Sequence, residues 1–194
     1  FTLRAIRIPQ KGRGRALKIA WSTSKARVRA YMDVDLSTDI RQIPELVGPI
    51  LDGRADVCFG SRLLPASRVE RCAKREFISR SYNRMLQSYL SVHFHDAQCG
   101  FKAISAEAAD TLLPLIQDNE WFFDTELLVL AERMGIASCE FAVRWKEDPG
   151  TTVHIVDTVR KDLAGMKRLK ASEGQAGATP TSAYRYPLKQ AADA

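Results

Sequence analysis

The sequence lacks the patterns typical of membrane-spanning, exported or disulfide-stapled proteins. No apolar run reaches the roughly 18 residues that a spanning helix needs, and the N-terminus shows no signal-peptide pattern. No C-x-x-C pair and no internal repeat occur. We therefore interpret the widely spaced cysteines as buried, reduced thiols of a cytosolic domain, not as zinc ligands or disulfides. They are Cys58, Cys72, Cys99 and Cys139.

The composition indicates one globular domain with anionic partners. Of the 194 residues, 45% are hydrophobic and 27% are charged, which is enough for a sizeable core. A formal charge of +6 favours phosphate esters, lipid headgroups or nucleic acid. Because no motif that reads nucleic acid is present, we do not expect nucleic acid as a partner. We place the folded domain at residues 1–170 and a mobile, Ala-, Gly- and Ser-rich tail at residues 171–194.

Alternating strand and helix patterns in the first sixty residues predict an α/β fold with a parallel, doubly wound sheet. The predicted strands are Leu3–Ile8, Val28–Met32 and Asp56–Gly60, and the predicted helices are 15–24 and 40–51. Further on, apolar spacing predicts an amphipathic helix with a basic face at 75–90, then helices at 106–116 and 127–134 and a strand at 139–145.

Two carboxylates, Asp33 and Asp35, directly follow the strand Val28–Met32. Ligands bind at the carboxyl ends of strands in open α/β sheets, and two carboxylates can share a hard divalent cation that neutralises phosphate oxygens. The alternative is a solvated loop whose acids cap the next helix.

Two basic segments accompany these carboxylates. The glycine-rich loop Lys11–Arg15 precedes a helix N-terminus, where phosphate groups bind readily. A basic turn that is merely exposed to solvent would have the same sequence pattern. Arg62 follows the next strand in Gly60-Ser61-Arg62. Its guanidinium is suited to grip a diphosphate, or to pair with a local carboxylate.

Four segments in order carry a family resemblance: M-D-V-D-L-S-T-D, G-S-R, D-A-Q-C-G-F-K, and W-F-F-D-T-E-L-L with W-K-E-D. Together they resemble family 2 glycosyltransferases acting on polyprenyl phosphates, nearest the dolichyl-phosphate glucosyl- and mannosyltransferases, over about Lys11–Leu169. The resemblance implies a Rossmann-like sheet of the GT-A type. It also implies inverting, metal-dependent transfer of a sugar from a nucleotide diphosphate, with UDP-glucose favoured, to polyprenyl or dolichyl phosphate.

The resemblance also implies roles for particular residues. A Mg²⁺ or Mn²⁺ ion would bind Asp33 and Asp35. The donor and its phosphates would contact Arg13, Asp33, Arg62 and Lys102. The catalytic candidates are Asp124, Glu126 and Gln98. The basic residues that would face the membrane and the lipid phosphate are Arg71, Lys74, Arg75, Arg80 and Arg84. Other roles stay open, because Gln98 and Lys102 would also suit hydrogen bonds that hold their turn, and Asp124 would suit a helix N-cap.

The chain departs from the family pattern at its beginning. The resemblance implies two earlier strand–helix units, roughly 60–80 residues, that bind the nucleotide and are missing here. We therefore expect a missing N-terminal segment or a separate membrane subunit, and weak or no activity of this chain alone. Arg13 also replaces a lysine of the family. The implied location is peripheral, at the cytoplasmic face of a membrane.

Two other functions remain open. Asp33-Val34-Asp35-Leu36-Ser37 loosely fits the nucleophile motif of haloacid-dehalogenase phosphatases. Alternatively, the chain is a catalytically impaired fragment that binds anionic lipid through the basic helix at 71–84.

Overall fold

The computed structural model describes residues 3–147, 155–173 and 184–185. The strands are β1 Val28–Met32, β2 Val57–Ser61, β3 Arg68–Glu70, β4 Phe101–Ser105, β5 Ser138–Ala142, β6 Arg144–Lys146 and β7 Tyr184–Arg185. The helices are α1 Arg13–Ser22, α2 Ile43–Leu51, α3 Ala73–Leu90, α4 Ala106–Leu112, α5 Phe123–Arg133 and α6 Ile155–Glu173, with a 3₁₀ turn at Ile40–Gln42 before α2.

The main sheet has the strand order β1-β4-β2-β5-β7. Strand β4 pairs antiparallel with both β1 and β2, whereas β2–β5 and β5–β7 are parallel. Strands β1 and β2 are therefore parallel to each other, as predicted, but the expectation of an all-parallel sheet is wrong. The carboxyl ends of β1 and β2 consequently point to the same edge of the sheet.

Helices cover both faces of this sheet. Alternate side chains of β2 point to opposite faces, as the strand period requires: Val57 and Phe59 join the larger core with α1, α3, α4, α5 and α6, while Cys58 joins a smaller core with α2. Full burial of a side chain such as Phe59 contributes roughly 1.5–3 kcal/mol. The strands are thus fixed firmly enough to orient the loops at their ends.

A two-stranded parallel sheet, β3–β6, connects the loop after β1 to the start of α3. The strand predicted at 139–145 divides into β5 and β6 at Val143, whose backbone N–H donates to Ser61 O and whose carbonyl accepts from Arg68 N. Trp145 of β6 bridges to Thr38. The carboxylate-bearing loop therefore lies beside β6.

Three local predictions need correction. Residues Leu3–Ile8 form no strand, since Leu3 is 89% exposed and no neighbouring strand supplies hydrogen bonds. Cys72 is exposed, although the other three cysteines are buried as predicted. Helix α6 continues to Glu173, past the predicted domain end, because Met166 and Leu169 anchor it in the core. Tyr184–Arg185 pair with β5, and the rest of the predicted tail lies outside the described residues.

Candidate active site

Asp33 and Asp35 lie in a tight loop at the carboxyl end of β1. The Asp33 N–H donates to Gly100 O at 2.9 Å, which fixes the loop to the segment before β4. The Asp35 carboxylate accepts from the Ser37 N–H at 3.0 Å, and Leu36 has a left-handed φ of 54°. Asp33 is partly buried and Asp35 is exposed. We call this segment, residues 33–37, the carboxylate loop.

Arg13, the first residue of α1, bridges two carboxylates. Its Nη2 lies 2.9 Å from Asp33 Oδ1 and its Nη1 lies 2.9 Å from Asp124 Oδ2. The guanidinium lies between the rings of Tyr31 and Trp121, 5.1 Å from each centroid. Burial opposes its charge, but Tyr31, Asp124 and Asp33 outweigh burial and raise the pKa of Arg13. Arg13 therefore already has anionic partners within the protein.

Asp124 is fully buried and shared by several groups. Lys102 Nζ lies 3.1 Å from its Oδ1, and the Tyr31 hydroxyl donates to the same oxygen. The Lys102 ammonium also donates to Ala97 O at 2.9 Å and to Cys99 O at 2.6 Å, so it holds its turn as the alternative interpretation expected. Asp124 is not an N-cap, because α5 has Phe122 in that position.

The electrostatics of Asp33 suit a divalent cation. Burial, together with repulsion from Asp124 and Asp35, outweighs the attraction of Arg13 and Lys102 and raises the pKa of Asp33. A cation shared with Asp35 would relieve that repulsion. Within residues 3–147, 155–173 and 184–185, no group of three or more His, Cys, Asp or Glu side chains could hold a metal. Among these residues, a cation here would have only the carboxylates of Asp33 and Asp35 as ligands of this kind.

Glu126 and Gln98 point away from the carboxylate loop. Glu126 accepts from Arg168 Nη2 at 2.9 Å and from the Asp118 N–H at 2.8 Å. Residues two apart on a helix differ by about 200° in direction, so Asp124 and Glu126 face opposite sides. The Gln98 amide donates to Asp162 on α6 at 3.0 Å. Of the catalytic candidates, the structure brings only Asp124 to Asp33, and it does so through Arg13.

Arg62 makes a bidentate ion pair with Asp96. Its Nε and Nη2 lie 2.8 and 2.9 Å from the two carboxylate oxygens. Burial raises the pKa of Asp96, but the charge and hydrogen bonds of Arg62 outweigh burial and bring it to about 2. The guanidinium also lies over the Trp145 ring, 5.5 Å from its centroid, and Arg71 lies 5.9 Å from the same ring. Arg62 therefore has a carboxylate partner within the fold, and its contact with a phosphate stays a prediction.

Arg62 lines a cavity of about 350 Å³ at the N-terminal end of α3, which we call the arginine pocket. Its other polar lining residues are Ser67, Arg71, Glu76 and Arg80. Glu76 pairs with Arg71 and Arg80, whose Nε atoms each lie 2.6 Å from it. Three guanidiniums thus face two carboxylates, Glu76 in the lining and Asp96 behind Arg62, which leaves one excess positive charge at the pocket.

The remaining basic candidates lie outside this lining. Arg75 pairs with Glu147 at 2.6 Å. Lys74 and Arg84 are exposed on α3 and form no ion pair within the described part of the chain. The exposed apolar side chains on this helix include Phe77, which is 72% exposed, and Tyr89. Among the described helices, none is long and apolar enough to cross a bilayer.

A family model confirms the sequence resemblance. The model of glycosyl transferase family 2 matches residues 2–113. The chain belongs to glycosyl transferase family 2. The match includes Asp33, Asp35, Arg62, Gln98 and Lys102. Asp124 and Glu126 lie beyond it.

Relatives of known name share this membership. Glycosyltransferase AglD of Haloferax volcanii is 41% identical over 155 residues, which cover 80% of this chain and 24% of that protein. The dolichyl-phosphate beta-glucosyltransferases of Dictyostelium discoideum and Homo sapiens are each 28% identical over 159 residues. These matches cover 77% and 74% of this chain, and 48% and 47% of the relatives. The chain thus spans between a quarter and a half of these relatives, and the two missing strand–helix units stay a prediction.

Solved structures show the same fold. Glucosyl-3-phosphoglycerate synthase of Mycobacterium tuberculosis superposes with a TM-score of 0.64 at 19% identity, over 84% of this chain and 57% of the synthase. A complex of that synthase with Mn²⁺, UDP-glucose and glycerol 3-phosphate gives a TM-score of 0.57 at 20% identity. The chain therefore has the GT-A fold that the sequence predicted.

Several residues of the site were not predicted from the sequence. Tyr31 lies in the predicted strand Val28–Met32 and Asp96 begins the segment D-A-Q-C-G-F-K, but their partners are distant along the chain. Trp121 also contributes, through its ring over Arg13. The sequence around Asp162 contains no functional motif, since it is that of an ordinary charged helix. These contacts arise only when the strand ends meet.

Proposed function

We propose that this chain is the core of the catalytic domain of an inverting glycosyltransferase. It would transfer a hexose, with glucose favoured, from a nucleotide diphosphate, with UDP favoured, to a polyprenyl or dolichyl phosphate. The observation that carries this proposal is an acidic loop and a basic pocket at one edge of the sheet. Burial opposes the charge of Arg62, but Asp96 and, more weakly, Asp33 raise its pKa, so the two centres act on each other electrostatically.

The carboxylate loop is the donor side of this proposal. Asp33 and Asp35 would hold Mg²⁺ or Mn²⁺, and the bound ion would supply positive charge against the leaving diphosphate. Support comes from the Mycobacterium tuberculosis synthase, which was crystallised with Mn²⁺ and UDP-glucose. Arg13 and Lys102 each contact Asp124. We infer that they maintain the charge balance around Asp33.

The arginine pocket is the acceptor side. A lipid phosphate has a second pKa near 6, so it is already largely anionic at neutral pH and needs little help from a general base. Arg62, Arg71 and Arg80 offer guanidinium groups that suit phosphate oxygens. Asp124, in contact with two cations, is better suited to orient Arg13 than to remove a proton. The relatives named dolichyl-phosphate beta-glucosyltransferase support this choice of acceptor.

The membrane would be reached through α3. Lys74 and Arg84 are exposed cations, and Phe77 and Tyr89 are exposed aromatics on the same helix. Cationic and aromatic side chains together favour an anionic lipid surface. We propose a peripheral location at the cytoplasmic face, with an N-terminal segment or a separate membrane subunit completing the nucleotide site.

The proposal is tested by sugar transfer from UDP-glucose to a polyprenyl phosphate in the presence of Mn²⁺, with GDP-mannose as the competing donor. Asp35→Ala should abolish turnover, whereas Asp124→Asn should leave residual activity. Asp52→Ala, which removes an exposed carboxylate at the C-terminal end of α2, is the matched control. Folded Asp35→Ala protein that transfers sugar like the unaltered chain would overturn the proposal.

The same purified protein distinguishes the two other candidate functions, a phosphatase and a lipid-binding fragment. Release of phosphate from p-nitrophenyl phosphate that is lost in Asp33→Asn would favour a phosphatase. Binding to anionic liposomes without metal-dependent affinity for any nucleotide sugar would favour a lipid-binding fragment.

A further inference from the structure

We propose that Arg13 acts as an internal counter-ion to the carboxylate loop, so that a divalent cation binds there strongly only together with a diphosphate. The inference rests on the proposed function, because it takes Asp33 and Asp35 as the metal-binding residues. It assigns Arg13 a different role from the donor contact that the resemblance implies.

The contacts of Arg13 leave little freedom for its guanidinium. Nη1 and Nη2 lie 2.9 Å from Asp124 and from Asp33, and Nη2 also lies 3.2 Å from the Tyr31 hydroxyl. The rings of Tyr31 and Trp121 lie against it at 5.1 Å each. The side chain is 18% exposed. The positive charge therefore stays beside Asp33 unless several contacts break together.

This fixed charge opposes a free metal ion. A cation bound to Asp33 would share that carboxylate with a guanidinium only 2.9 Å away, and like charges at such separations repel strongly outside bulk water. Arginine cannot relieve the repulsion by losing its proton, because a guanidinium stays protonated in proteins. The repulsion thus persists at any pH at which the protein is folded.

A diphosphate restores the balance. The three carboxylates of Asp33, Asp35 and Asp124, with the two cations Arg13 and Lys102, leave one net negative charge at the site. A free divalent ion would reverse that charge. The same ion carrying a doubly charged diphosphate would leave it unchanged. The site is therefore matched to the metal–diphosphate complex and not to the metal alone.

The test is Mn²⁺ binding by isothermal titration and electron paramagnetic resonance, without nucleotide. Arg13→Gln should bind free Mn²⁺ at least about tenfold more tightly than the unaltered chain. Arg13→Lys, which retains the charge, should bind it as weakly as the unaltered chain. Arg15→Gln is the matched control, because it removes the same charge from the same helix but Arg15 contacts the Lys11 carbonyl instead of Asp33.

Two further measurements keep the inference falsifiable if Arg13→Gln does not fold. Arg13→Met, whose flexible thioether fills the space between the two rings, should give the same gain in affinity. In the unaltered chain, a preformed complex of Mn²⁺ with P1,P2-dimethyl pyrophosphate, a diester that carries two negative charges, should bind more tightly than Mn²⁺ alone.

The outcomes distinguish the inference from the proposed function. If folded Arg13→Gln or Arg13→Met binds Mn²⁺ no better than the unaltered chain, and Asp35→Asn removes that binding, the role of Arg13 is refuted while the metal site stands. If no variant binds Mn²⁺ and the pyrophosphate complex does not bind either, the metal site and the inference both fail.

Discussion

Replacing Asp96 by asparagine removes the negative charge that fixes Arg62 at the arginine pocket. Asp96 is fully buried, and Arg62 has 14% of its side chain exposed. The pKa of Asp96 is about 2 against an ordinary 3.8, which corresponds to roughly 2 kcal/mol of stability at neutral pH. Removing one partner also leaves an uncompensated buried cation, a change that typically costs about 3–5 kcal/mol. We therefore expect Asp96→Asn to lose about 2–5 kcal/mol.

The pH dependence gives a second measure of the same interaction. A carboxyl group whose pKa is lowered by folding stabilises the protein above its unfolded pKa, and that contribution disappears as the pH falls through the folded value. The difference between the unaltered chain and Asp96→Asn should thus be complete at pH 7 and shrink from about pH 4 towards the folded pKa of about 2.

Urea unfolding followed by tryptophan fluorescence measures both effects. Asp52→Asn is the matched control, since its pair with Arg54 is exposed on both sides and should contribute at most about 1 kcal/mol. A double-mutant cycle with Arg62→Gln isolates the pair energy. The reasoning is refuted if Asp96→Asn loses no more stability than Asp52→Asn, or if the cycle shows no coupling.

Gly100→Ala should abolish Mn²⁺ binding, because an added Cβ would collide with the Asp33 carboxylate; Gly48→Ala, in open space, should leave binding intact, and equal binding by both would contradict this. Burial raises the pKa of Asp162 from 3.8 to about 6, which destabilises the fold increasingly above about pH 4 and fully above about pH 6. Asp162→Asn should consequently gain up to about 3 kcal/mol in urea unfolding at pH 8 and nothing near pH 3.5; an equal gain at both would refute the cause. Trp145→Leu should weaken binding of citronellyl phosphate to the arginine pocket several-fold, while Trp145→Phe keeps most of it; equal loss in both variants would contradict a role for the ring face.

The local elements were largely predictable from residue patterns. Strand β1 has the predicted bounds Val28–Met32, and α2 and α3 lie where apolar spacing placed them. Strand β4 was not predicted, because a strand buried on both faces has no alternation, and its antiparallel pairing depends on distant segments. Leu3–Ile8 shows the converse: strand-like residues form no strand without a partner.

The candidate site was predictable by residue type but not by contact. Asp33, Asp35 and Arg62 were identified from their places after strands, since parallel strands bring their carboxyl ends to one edge, and the other candidates came from the family resemblance. The sequence did not show which charged side chains form ion pairs with each other. Arg62 and Asp96 are 34 residues apart, and Arg13 and Asp124 are separated by most of the domain. Such pairs depend on how the antiparallel β4 returns between β1 and β2.

The insertion of β4 explains how one edge of the sheet holds both the carboxylate loop and the arginine pocket. The segment 96–102 leads into β4 and lies between the ends of β1 and β2. From one end of it Asp96 binds Arg62 of the arginine pocket, and from the other Lys102 binds Asp124, which in turn binds Arg13 beside Asp33. A shift of this segment would therefore disturb the acidic loop and the basic pocket together. Lys102 and Asp96, six residues apart, can both be fully buried because each is neutralised by a partner from another element.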